Sequence, residues 1–164
     1  KWSRQTVLTA EGYLIVRDYY VPCSDVDGYV ASPCWSIAVT DQESKDGSHW
    51  FDAPARDHAW WQKKKKRVIL YLHPQKGQEV GQVRTRTSQD IGGANVMNTF
   101  SKANLKSGEP LVWLSVFRPY DEGEDKTKLA SQIKTLVDNE GNASARIGNL
   151  RVSISHDGLW QIKR

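Results

Sequence analysis

Apolar positions along this chain fall into short runs bounded by turn residues, and few of them follow a helical period. Val7-Leu8-Thr9, Glu11-Gly12 and Tyr13-Leu14-Ile15-Val16-Arg17-Asp18-Tyr19-Tyr20 read as strand, turn and strand, with β-branched and aromatic residues concentrated in each run. Tyr29 to Ala31 and Trp35 to Val39 form a second strand region, in which Pro33 marks an edge or bend because it cannot donate to a ladder. Arg67 to His73 is a strong strand ended by Pro74, and Leu111 to Phe117 is the most apolar run, short and β-branched, expected as a central strand buried on both faces. Leu150 to Ser155 and Leu159 to Ile162 flank Asp157-Gly158, a hairpin signal.

Three segments are less regular. Asp41 to Ala59 is polar and contains Gly47 and Pro54, so it is expected as a long functional loop. Gln82 to Thr87 alternates, which predicts a strand displaying Arg84 and Arg86 on one face. Lys128 to Val137 fits helical and strand spacing about equally, and its neighbours favour a strand. Many short strands without β-α-β alternation predict an all-β fold, an antiparallel β-sandwich. Trp2, Trp35, Trp113 and Trp160, inside strands, are expected in its core.

A length of 164 residues predicts one domain, residues 1–164, large enough to bury a core without a metal or a disulfide framework. The net charge of +4 is mild, and a single run of lysines carries much of it, so charge arguments here are local. Cys23 and Cys34 match no zinc or redox spacing and could be one cross-strand disulfide or two buried thiols. No stretch approaches the length of a membrane span, and the opening residues Lys1-Trp2-Ser3-Arg4 are not a signal peptide. A start without methionine fits an excised domain or a processed product.

Seven tryptophans change the picture, because Trp60-Trp61 run directly into Lys63-Lys64-Lys65-Lys66-Arg67. Flat aromatic faces beside clustered cations suit a ligand with apolar ring faces and negative charge. An acidic polysaccharide is one such ligand, with sugar C–H faces on indole and its carboxylates or sulfates on Lys and Arg. Single-stranded nucleic acid is another, but the pattern lacks the aromatic strand signature of an RNA-recognition sheet. The plainer reading makes Trp60 and Trp61 core residues at a strand start and the lysines guards of a sheet edge. The candidate ligand-binding set is Trp50, Trp60 and Trp61 for stacking, with Lys63, Lys64, Lys65, Lys66, Arg84 and Arg86 for the anionic groups.

Catalytic and metal chemistry find no support. His49, His58, His73 and His156 have no metal-ligand spacing, and Asp25-Val26-Asp27-Gly28 opens like a calcium loop but lacks the remaining ligands, so an Asx turn explains it more simply. No Gly-x-Ser-x-Gly elbow exists, the acids of Glu122 to Asp125 read as a solvated loop, and no cofactor is implied.

Two blocks carry a family resemblance. Trp2 to Leu8 followed by Gly12 to Asp18, and Ser107-Gly108-Glu109-Pro110 leading into Leu111 to Pro119, resemble the C-terminal β-sandwich of heparinase II/III-like polysaccharide lyases, a group that includes alginate and glycosaminoglycan degraders. The order and spacing are similar along nearly the whole chain. The catalytic residues of that family come largely from a helical toroid and the first part of the sandwich, and the toroid has no counterpart here, so the lyase activity does not carry over. The resemblance implies an exported, secreted or periplasmic, bacterial domain that handles acidic polysaccharide. It would act as a carbohydrate-binding module linked to a catalytic domain, or as a structural accessory domain that binds nothing alone.

Overall fold

The computed structural model describes residues 1–36, 41–45, 48–54, 66–74, 78–84 and 95–164. In chain order the strands are β1 (Trp2–Leu8), β2 (Leu14–Tyr20), β3 (Val26–Ser36), β4 (Asp41–Lys45), β5 (Ser48–Pro54), β6 (Lys66–Leu72), β7 (Gln78–Arg84), β8 (Asn95–Leu105) and β9 (Leu111–Asp121). A short helix α1 (Lys126–Ser131) follows, then β10 (Ile133–Val137), β11 (Ala143–Ile147), β12 (Leu150–Ile154) and β13 (Trp160–Lys163). The fold is all-β. A six-stranded sheet runs β1-β2-β9-β6-β5-β4, a four-stranded meander β10-β11-β12-β13, and a three-stranded sheet β3-β8-β7, every described pairing antiparallel.

Strand β9 lies inside the six-stranded sheet and sorts its side chains by alternation. Leu114, Val116 and Tyr120 join the largest apolar cluster, which they share with Ile133, Ala145, Ile147, Val152 and Ile154 of the four-stranded sheet. The intervening Trp113 and Phe117 enter separate clusters on the other face, with Tyr20 and Leu105 or with Trp35, Phe51 and Leu70. The expected doubly buried strand is therefore present, with both faces covered.

The contact between the six- and four-stranded sheets is pinned by one cation. Arg17 on β2 is fully buried and donates to the Gly141 carbonyl oxygen from Nε and Nη2 (3.0 and 2.7 Å), to Gln5 Oε1 (2.6 Å) and to the His156 carbonyl oxygen (3.3 Å). Its guanidinium also lies 4.5 Å from the Tyr19 ring centre. Gly141 turns back with φ +86°, and a Cβ there would stand 2.5 Å from Tyr19 Cε2, so both backbone conformation and space require glycine. Burial disfavours the charged guanidinium of Arg17, and these acceptors replace the water it loses.

Several expectations are corrected. The polar stretch from Asp41 is not a single loop, because β4 and β5 pair as a hairpin within it and Phe51, Asp52 and Ala53 are buried. Residues 126–131 are helical, since Asp125 caps the first turn by accepting from the Lys128 amide (3.0 Å), while the strand begins only at Ile133. Trp113 is core, but Trp2 and Trp160 are 46% and 55% exposed because each sits on an edge strand. Asp25 does not form a local Asx turn; it reaches across the chain to Lys106 Nζ (2.8 Å) and the Ser107 amide (3.0 Å). Cys23 is a free, exposed thiol.

Candidate functional site

The residues singled out from sequence do not converge. Trp50 is only 7% exposed and packs in the core shared with the four-stranded sheet, so it presents no face for stacking on a ligand. Lys66 opens β6 and its Nζ lies 2.5 Å from Asp121, so that charge is already paired. Arg84 ends β7 opposite Asn95 in the three-stranded sheet, a different sheet from the one that holds Lys66. Trp60, Trp61, Lys63, Lys64, Lys65 and Arg86 lie outside the described residues.

Beside Lys66, Arg67 is occupied by the fold. Its Nε and Nη2 donate to the two carboxylate oxygens of the nearly buried Asp52 (3.1 and 2.6 Å), and Tyr120 Oη donates to Asp52 Oδ1 (2.5 Å). Burial, reinforced by that bond to Asp52, pushes the Tyr120 hydroxyl up to about 12, so it serves as a proton donor to Asp52 and not as a base. Asp52 raises the already high Arg67 pKa further. This cluster is a charge-neutralising centre between strands β5, β6 and β9.

A different arrangement has the features of a site. On the outer face of the four-stranded sheet, Lys134 on β10 is the direct partner of Arg146 on β11, Arg146 of Arg151 on β12, and Arg151 of Lys163 on β13. All four are exposed. They form one straight row of cations across every strand, spaced by the strand separation of about 4.8 Å and so spanning about 14 Å. Like charges directly opposite one another destabilise a sheet, and this row contains three such pairs in succession. No described carboxylate forms an ion pair with any of the four. The other outward positions are Leu136, Ser144, Ser153 and Gln161, none of them acidic.

The register that builds this row comes from three links, the first of which, residues 138–142, closes with the Asp138 amide donating to the Asn142 carbonyl oxygen (3.0 Å) and sets Lys134 against Arg146. Ile147 pairs with Leu150, which leaves Gly148-Asn149 as the two-residue link, and Gly148 adopts φ +60° as such a hairpin requires. Asp157-Gly158 closes the next hairpin so that Ile154 meets Trp160 and Arg151 meets Lys163. The carboxylates at this end are used locally: Asp138 accepts from the Asn142 side-chain amide (2.8 Å) and from the backbone amides of Asn142 and Glu140, and Asp157 from the Ser155 hydroxyl, which holds both below the usual carboxylate range.

Alongside the row the sheet surface is concave. A depression of about 390 Å³ has Leu136, Ser144, Arg151, Ser153, Leu159 and Gln161 in its lining, with Asp138 and Asn142 at its turn end, and an adjoining one of about 380 Å³ shares Leu136, Ser144 and Arg151 with it. The half-buried serines form the floor because their side chains are short, while Leu136 and Leu159, 61% and 71% exposed, stand at the rim. Hydroxyls, carboxamides, apolar rims and a row of cations unpaired with any described carboxylate, beside an Asp138 already engaged by Asn142 and Glu140, suit the binding of an extended polar anion. Among the described residues no group of three or more His, Cys, Asp or Glu is arranged to hold a metal, and no helix is long and apolar enough to cross a membrane.

No protein-family model matches this chain, and neither a curated protein nor a solved structure matches it at a significant level.

Proposed function

We propose that this chain is a non-catalytic binding domain that holds an acidic polysaccharide on the outer face of its four-stranded sheet. The observation that carries the reading is the row Lys134-Arg146-Arg151-Lys163, in which cations are placed in register and, among the described residues, no carboxylate forms an ion pair with them. The two central guanidiniums favour carboxylate or sulfate because they can donate two parallel hydrogen bonds to either group. The sequence resemblance to lyase-associated sandwiches supports this ligand class and would imply an exported polysaccharide-degrading protein. Single-stranded nucleic acid fits less well, since the described residues lining the depression include no aromatic side chain for bases to stack on.

A second reading has its own observation. Trp50 is buried, and Lys66 and Arg67 are paired, so the described part of the predicted aromatic and basic segment serves the fold. The half-exposed Trp2, stacked on Trp113 with ring centres 5.3 Å apart, belongs to an aromatic face that an accessory domain could press against a catalytic domain. Affinity electrophoresis in gels containing alginate, chondroitin sulfate, heparin or neutral glucan separates the two. Retardation by the polyanions, weakening with salt as exposed charges are screened within about 10 Å at 0.1 M, is expected. Mobility unchanged in every gel would leave only the accessory role, and tighter retention of single-stranded DNA than of any glycan would replace the ligand class.

A further inference from the structure

Resting on the polysaccharide reading, we infer that the glycan lies across the four strands and is read by two parallel rows, one for its acidic groups and one for its hydroxyls. The first is the cation row. The second is the next set of outward partners, where Leu136 faces Ser144, Ser144 faces Ser153 and Ser153 faces Gln161. Positions two residues apart on one face of a strand are about 6 to 7 Å apart, so the rows run side by side at about the width of a sugar ring. The cation row alone would bind any flexible polyanion. The second row gives the face its discrimination, because Ser144 and Ser153 on the floor and Gln161 at one end can donate to and accept from ring hydroxyls, while Leu136 and Leu159 meet C–H faces at the rim.

This geometry sets both the length and the class of ligand. Four cations at strand spacing match a run of about four negative charges, so an acidic oligosaccharide with a charge on each sugar fills the row at about four residues. A polymer without hydroxyls beside its charges, such as inorganic polyphosphate, engages the first row only. Ser144, Ser153 and Gln161 are therefore specificity-determining residues, and Lys134, Arg146, Arg151 and Lys163 supply affinity.

Titration calorimetry with uronate oligosaccharides from disaccharide to octasaccharide, and with inorganic polyphosphate, tests the two-row mode. Affinity should climb with each added residue up to about the tetrasaccharide and then level off. The double substitution Ser144→Ala with Ser153→Ala should weaken the tetrasaccharide about tenfold, as expected for two lost hydrogen bonds, and leave polyphosphate unchanged. Both sites are half-buried surface positions, so circular dichroism is expected to show an intact fold. Binding of the tetrasaccharide by the parent that the serine substitutions do not weaken overturns the two-row mode and leaves the polysaccharide reading standing. Equal loss of polyphosphate and glycan also overturns it, because the serines would then be acting on the cations. No binding of any oligosaccharide by the parent overturns both proposals.

Discussion

Two sets of cations in this molecule are treated in opposite ways. Arg4, Arg17 and Arg67 are each matched: Arg4 donates from Nε and Nη2 to the buried Asp18 (2.7 and 3.1 Å), Arg17 to two carbonyls and a carboxamide, and Arg67 to Asp52 and Tyr120. Lys134, Arg146, Arg151 and Lys163 are one another's cross-strand partners, and none of them forms an ion pair with a described carboxylate. A cation fully satisfied within the chain contributes to folding and has little left for a ligand, whereas a row of cations held in register against their mutual repulsion is available to an outside anion. Position in the fold, more than residue type, separates the two roles.

The largest effect should come from breaking the matched set. Asp52→Ala leaves the Arg67 guanidinium partly buried without its counter-charge and is expected to lower stability by about 3 to 5 kcal/mol, read by urea unfolding. A loss below about 1 kcal/mol would show that Arg67 finds solvent or another partner. Gly141→Ala should cost about 2 to 4 kcal/mol, since a left-handed residue gains a Cβ pressed on Tyr19 and the Arg17 acceptor shifts. Near-neutral behaviour would mean that this turn does not hold the sheets together.

His73 supplies an intermediate effect that involves no ion pair. Burial lowers it to about 4 from the ordinary 6.5, and Nδ1 sits 2.9 Å from Thr135 Oγ1 on the four-stranded sheet. The unfolded chain therefore takes up a proton near 6.5 while the folded chain stays neutral to about 4. Stability is full above about pH 6.5 and falls as the pH drops through that window, by at most about 3 kcal/mol. Burial shifts His49 in the same direction, so the comparison is between the parent and His73→Asn, whose stability should fall less steeply between pH 6.5 and 5. Identical slopes would remove the assignment.

The strands were largely legible, and the site was not. Short β-branched runs identified β2, β6, β9 and the closing hairpin, because a strand's local composition follows from the surface it packs against. The hairpin β4-β5 was hidden by its polar neighbours, although His49-Trp50-Phe51-Asp52-Ala53 contains the apolar positions that become core. Lys134, Arg146, Arg151 and Lys163 are scattered along the sequence and attract no attention beside a run of four lysines. Their adjacency arises only when the 138–142 link and the Gly148-Asn149 and Asp157-Gly158 turns fix the register, so hairpin counting from those turns was the one available signal. Exposure of Trp2 and Trp160 depends on which strands end at a sheet edge, and strand order is a tertiary property.

The smallest effect on stability bears most directly on function. In the double variant Arg146→Gln with Arg151→Gln, the polar stems remain while the central repulsion is removed. One sample is read two ways, by thermal unfolding and by retardation in a heparin or alginate gel at low salt. The row should have been held at a cost, so the midpoint is expected to rise by about 2 to 4 °C, equivalent to about 1 kcal/mol, while retardation by the polyanion is lost. Retained binding, or a midpoint that falls, would contradict the claim that these cations are kept unpaired for a ligand.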